Sequence, residues 1–250
     1  MNMNGFIKLM AYGLQRRMKD FFIIIYSIVF PLLEILLLGY LATNFFKGDS
    51  SITSNHYYTL VLIPFYLLTS IITVAYVAKD ESLRKTAYRF IIAPIDNGAI
   101  VLSKVLSCTI VIWLCGAVNL LIVRVLLGVN FGSSTPIILL MFFTETFMAS
   151  AIGIYLGICI KNFGTIQGIL NIPLNIFGLL GGTFFPAGSL GDTFEKISYI
   201  SPFTWINKGL IAAVYDNDIT ILIYSIVVTL VIAIVFSVLS VISFKKEAFL

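Results

Sequence analysis

Six apolar stretches, at residues 21–42, 57–78, 100–127, 136–160, 165–185 and 219–244, fill most of this 250-residue chain. About 20 helical residues cross a hydrocarbon core roughly 30 Å thick, and each stretch reaches that length. Only three ionisable residues, Glu34, Arg124 and Glu145, lie well inside them. In hydrocarbon every backbone polar group must bond within its own segment, so such stretches cross as helices. The fold class that follows is an all-α polytopic membrane protein with six transmembrane helices in a single domain, residues 1–250. Composition agrees: 59% of residues are hydrophobic and 11% charged, against about 45–50% and about 25% in soluble domains.

The net charge of +4 matters less than its placement. Lys8, Arg16, Arg17 and Lys19 precede the first stretch. Lys79, Arg84, Lys85, Arg89 and Lys104 lie between or beside the second and third, Lys161 between the fourth and fifth, and Lys245 and Lys246 after the sixth. Connections of the other parity hold only Lys47, Lys196 and Lys208, among five acidic residues. Cytoplasmic loops retain Lys and Arg, which places both termini in the cytoplasm. No role with nucleic acid follows from a charge distributed this way. Cys108, Cys115 and Cys159 sit in apolar stretches as small hydrophobes, with no metal set around them. The first stretch is full-length, contains Glu34 and lacks a small-residue cleavage site after it, so it is expected to stay as an anchor.

Residues 1–20 space Lys8, Tyr12, Gln15, Arg16 and Lys19 on one helical face and Phe6, Met10, Gly13 and Leu14 on another, the pattern of an amphipathic interfacial helix. Ala149, Gly153 and Gly157 form a small-residue face on the fourth stretch, where another helix backbone can approach closely, within the chain or across a subunit interface. Pro31, Pro64 and Pro173 lie inside stretches where they can kink a helix. Between the fifth and sixth stretches, Phe184, Phe185, Phe194, Tyr199, Phe203 and Trp205 crowd a segment broken by Pro186, Gly188, Gly191 and Pro202. Apolar but too interrupted to span, it reads as a re-entrant or interfacial extracellular hairpin. Tyr57, Tyr58, Phe21, Phe22 and Trp205 fall near stretch ends, where aromatic belts occur.

The connection from Lys79 to Lys104 joins charge to an apolar cluster. Helical spacing puts Leu83, Ala87, Phe90 and Ile91 on one side, and Pro94 ends the helix. Such a helix either lies on the membrane surface or plugs into a partner protein.

The spacing Arg84-x-Thr86-x7-Pro94-x9-Lys104, with Glu81 before it, resembles the loop between the second and third spans of the ABC-2 type membrane subunits of ATP-binding-cassette transporters. Gly181-Gly182-Thr183-Phe184-Phe185-Pro186 followed by Ser201-Pro202-Phe203 resembles their last extracellular segment. Gly191 stands where many relatives carry a second proline, a departure that bears on the hairpin's shape. The resemblance covers essentially the whole chain and implies an exporter permease in a bacterial plasma membrane. It further implies a second membrane subunit, identical or homologous, and two cytoplasmic ATPase subunits that bind ATP and magnesium. In that family the second connection is a coupling helix docked in the ATPase. Carried over, Glu81, Arg84, Thr86, Arg89 and Phe90 contact or position the ATPase, Pro94 ends the helix, and Lys161 and Asn162 form a second, shorter contact. The chain has no G-x-x-x-x-G-K-[ST] stretch of its own for ATP phosphates.

At 1.5 Å per residue, Glu34, Arg124 and Glu145 come out at similar depth in the outer half of the membrane. Each is costly there unless paired or hydrated. Arg124 either neutralises one or both carboxylates beside a translocation path or snorkels to the headgroups, leaving the acids to hydrogen-bond neighbouring helices. Asn171 and Asn175, one turn apart with Gln167 and Gly178 on the same face, either hydrogen-bond across a subunit interface or line a polar strip of the path. No catalytic constellation or metal set gathers at one depth. With no extracellular domain and apolar walls, the expected cargo is amphipathic or hydrophobic: a drug, or an antimicrobial or cytolytic peptide. Export of a lipid or lipid-linked glycan, a stand-alone ion-coupled carrier or channel, and a non-transporting immunity or sensor subunit are the alternatives.

Overall fold

The computed structural model describes residues 3–44, 53–83, 95–160, 162–185 and 191–244, which are helical with short connections and contain no strand. Helix α1 (Met3–Met18) is followed by α2 (Phe21–Leu41), α3 (Ser54–Thr69), α4 (Ile71–Leu83) and α5 (Asn97–Leu127). Then come α6 (Thr135–Cys159), α7 (Phe163–Leu180), α8 (Asp192–Ser198), α9 (Pro202–Ile211) and α10 (Thr220–Ser243).

Five of these segments are long and apolar enough to cross a membrane: α2, α3 continued into α4, α5, α6 and α10. The sixth expected span differs. An apolar run continues to Phe185, yet α7 stops at Leu180, giving 18 residues or about 27 Å. Gly182, at φ 77°, takes the left-handed conformation that turns the chain out of the helix. The second expected span lies within Ser54–Lys79, with a turn at Ser70 where the Thr69 and Ser70 hydroxyls bond back to the carbonyls of Phe65 and Leu67.

The core is inverted relative to a soluble protein. Segment α3–α4 and helix α6 are largely buried, whereas α2, α5 and α10 turn Leu33, Leu37, Leu121, Val125, Val231 and Ile234 outward. Helix α6 packs against α10, α4, α5 and α3. With lipid as apolar as leucine, close packing depends on small residues and interhelical hydrogen bonds. Both are present. Ala149, Gly153 and Gly157 meet α4 within this chain: a Cβ on Gly153 would lie 2.7 Å from the Ile71 carbonyl oxygen, and one on Gly157 would lie 2.6 Å from that of Ala75. On α10, Ser225, Thr229, Ala233, Ser237 and Ser240 form the buried face, and Thr229 Oγ1 donates to Thr144 Oγ1 of α6 at 3.1 Å.

Helix α1 occupies the leader and packs along α5, with Gly13 against Ser107. Its Arg17 is buried and pairs with Asp20 at 3.6 Å, and the Asp20 carboxylate caps the start of α2. At the opposite end, α9 packs against α3, α7 and α10, burying Phe203, Ile206, Asn207 and Leu210. The Lys208 ammonium, 2.7 Å from Glu195 Oε1, holds the Glu195 carboxyl below the usual carboxylate range and also sits over the Tyr199 ring.

Candidate functional site

Helix α2 changes pitch at residues 25–29, which form a π-turn closed by the Phe30 N–H on the Ile25 carbonyl. Pro31 follows and has no N–H to offer the carbonyl of Ser27, four residues earlier. Asn119 of α5 fills that gap, its Nδ2 donating to Ser27 O at 2.7 Å in a fully buried position. The Ser27 carbonyl is thereby met, and π-turns of this kind are frequent at functional sites. Asn119→Leu is expected to cost about 1–3 kcal/mol, the price of an unsatisfied buried acceptor. Thermal unfolding in detergent reads that loss.

Beyond the π-turn, Tyr26, Phe30 and Glu34 follow at intervals of four and share one face of α2. They line an open cleft of about 320 Å³ with Phe65, Tyr66 and Thr69 of α3, Asn171, Leu174 and Asn175 of α7, and Phe184. The Tyr26 hydroxyl donates to Thr69 Oγ1 at 3.0 Å, and Thr69 in turn donates to the Phe65 carbonyl at 2.8 Å. The Tyr26 and Tyr66 rings stand edge to face with centroids 5.4 Å apart. Glu34 Oε2, shielded from solvent, has no hydrogen-bond partner. Asn175 donates to the Asn171 carbonyl at 2.8 Å, which ties its amide to its own helix.

The structure does not gather the three intramembrane charges. Glu145 is fully buried in α6 with neither carboxylate oxygen hydrogen-bonded, while Arg124 is exposed in the last turn of α5. No ion pair joins Arg124 to Glu34 or Glu145 among the described residues. Similar depth fixes one coordinate only, and these side chains leave their helices in different directions. Of the other expected site residues, Phe184 lines the cleft, Phe185 is exposed, and Pro202 opens α9. Pro186 lies outside the described residues. Glu81 lies in the last turn of α4, and Arg84, Thr86, Arg89, Phe90 and Pro94 lie outside the described residues, as does Lys161. Asn162 caps α7, its Oδ1 accepting from Gly164 N at 2.9 Å. Tyr26, Tyr66 and Thr69 were not expected in the site. The Tyr26-Phe30-Glu34 spacing could have flagged the first, but only packing brings α3 to it.

The family model for the ABC-2 type transporter matches residues 5–215 of this chain. The chain belongs to that family. It is thus a multi-pass membrane protein and a transport permease rather than a catalytic domain, and the match spans everything from the leader helix through α9. No curated protein matches the sequence. Within an ABC-2 permease, the cleft joins polar groups from three membrane helices to an aromatic wall, which is the composition of a small-molecule site.

Proposed function

We propose that this chain is the membrane subunit of an ATP-driven exporter that moves an amphipathic or hydrophobic substrate, a drug or a membrane-active peptide, out of the cell. Membership of the ABC-2 family supports two cytoplasmic ATPase subunits, which hold ATP and magnesium, and a second membrane subunit, identical or homologous. In this reading α7 completes a six-span bundle in a bacterial plasma membrane with both termini cytoplasmic, and residues 186–218 form a re-entrant extracellular hairpin. Residues 81–94 couple the bundle to the ATPase, with Lys161 and Asn162 as a second contact. The second membrane subunit packs on the exposed faces of α2 and α7 that flank the cleft. Closure of the ATPase pair moves the coupling helices, and the bundle transmits that motion to α2, α3 and α7. The observation that carries the reading is the cleft between those three helices, where a carboxylate and two asparagines lie among aromatic rings at membrane depth.

Two measurements test the assembly. Gentle purification of the chain from its native membrane is expected to recover an ATPase whose turnover changes with one class of amphipathic cargo; a chain recovered alone points to the carrier or channel. Arg84→Glu combined with Phe90→Asp is expected to leave the chain inserted but to abolish ATPase co-purification, because a docked apolar face does not accept unpaired charge. Retained co-purification with full activity would remove the coupling assignment.

A further inference from the structure

The unfilled valence in the cleft is specific. Glu34 keeps its Oε2 shielded from solvent and unpartnered. No basic side chain among the described residues pairs with it, and none of the residues lining the cleft is basic. Glu34 lies seven residues before the end of α2, about 10 Å inside the span. A carboxylate at that depth calls for a counter-charge. Around it stand the rings of Tyr26, Phe30, Phe65, Tyr66 and Phe184, whose faces attract cations. Phe184 and Phe65 meet edge to face at 5.5 Å, and Tyr26 stands 6.2 Å from Phe30, so the rings form a wall rather than isolated contacts. The π-turn held by Asn119 and the Tyr26-to-Thr69 bond fix that wall in place. Beside the asparagine amides, which both donate and accept, the cleft offers an acidic group, π faces and apolar surface and no basic group, a combination that disfavours anions and leaves neutral solutes without a charge partner.

We propose that the cleft around Glu34 binds a lipophilic organic cation, with the carboxylate as counter-ion and the aromatic rings as its walls. This deepens the exporter reading and rests on it for the fate of the bound molecule, but the binding step belongs to this chain alone. The cleft volume, about 320 Å³, lies at the lower end of the range of small-molecule sites, roughly 300–1,000 Å³. Depth separates this chemistry from that of a lipid ammonium headgroup, which stays at the interface.

The test is a scintillation-proximity assay with tritiated tetraphenylphosphonium on the immobilised full-length chain in detergent. Saturable binding is expected, weakened at least about tenfold in Glu34→Gln and largely kept in Glu34→Asp; tenfold corresponds to about 1.4 kcal/mol. Neutral triphenylphosphine oxide, similar in bulk, is expected to displace the probe at least about tenfold less well than dodecyltrimethylammonium. A basic amphipathic peptide in the same competition tells whether the cation can also arrive on a peptide. Unchanged affinity in Glu34→Gln, or equal displacement by the neutral oxide in the unaltered chain, would overturn the proposal. The second comparison needs no variant and so does not depend on how Glu34→Gln folds. Because no ATPase is present, absent binding in a chain that does recover its ATPase sinks only the cation assignment. Binding without any ATPase partner leaves this site standing and sinks the exporter.

Discussion

Replacing Gly157 with alanine is expected to destabilise the bundle by about 3 kcal/mol, and replacing it with leucine is expected to abolish a monodisperse folded protein. The added Cβ would lie 2.5 Å from the Ala78 Cβ and 2.6 Å from the Ala75 carbonyl oxygen. Neither neighbour can rotate away, since one is a methyl fixed to the backbone and the other is backbone itself. Relief must come from separating α4 and α6, and overpacking that moves backbone costs about 1–3 kcal/mol or more. Gly153→Ala is expected to behave similarly, with its Cβ 2.7 Å from the Ile71 carbonyl oxygen and 2.8 Å from the Val74 Cβ. Gly168→Ala on α7 is the control, because nothing lies within 4 Å of the added methyl and alanine favours a helix by up to about 1 kcal/mol. Fluorescence-detected size exclusion after a temperature series separates the three. A Gly157→Ala protein as heat-resistant as Gly168→Ala would show that α4 and α6 are not in this contact.

That stripe also shows where the sequence is readable. Intervals of four among Ala149, Gly153 and Gly157 mark a face made for close approach, but a one-dimensional pattern does not name the partner. The structure spends the face on α4, inside the chain, rather than on a second subunit. The same kind of pattern runs along α10, with small residues from Ser225 to Ser240, and is as legible. Long spans were readable because hydrocarbon demands about 20 apolar residues regardless of neighbours. The end of α7 was harder, since the apolar run passes straight through the turn at Gly181 and Gly182. For the site, Glu34, Asn171 and Asn175 stood out as polar residues in apolar surroundings. Their aromatic partners did not, because a tyrosine in a span carries no such contrast. Depth counting failed for Arg124 and Glu145, as it holds no information about direction around the helix axis.

Tyr57 and Tyr58, which sit where an aromatic belt is expected, have a more specific task. The Tyr57 hydroxyl donates to the Gly182 carbonyl at 2.6 Å and that of Tyr58 to the Phe184 carbonyl at 3.0 Å. From α9, Asn207 Nδ2 donates to Gly181 O at 2.9 Å; Ser201 Oγ, just before that helix, donates to Phe177 O at 2.6 Å. The last carbonyls of any helix lack partners within it, and inside a membrane protein water is not at hand to supply them. The backbone N–H groups of Gly181, Thr183 and Gly182 answer the carbonyls of Phe177, Gly178 and Leu179, and side chains from α3 and α9 supply the carbonyls of the turn that follows α7. Tyr57→Phe combined with Asn207→Leu is expected to cost about 3 kcal/mol: each change leaves a buried carbonyl unmet at about 1–3 kcal/mol, and the two sites are close enough to couple. At roughly 2–4 °C per kcal/mol for a chain of this size, the thermal midpoint in detergent should fall by about 6–12 °C. The Glu34 cleft should respond too, because Phe184, two residues beyond Gly182, forms part of its wall. Tetraphenylphosphonium affinity is expected to drop in the double variant while ATPase co-purification, assigned in the proposed assembly to the opposite face of the membrane, stays intact. A double variant that melts within about 2 °C of the unaltered chain would mean that these two side chains do not hold the turn after α7, which would then owe its shape to its own backbone bonds and glycines.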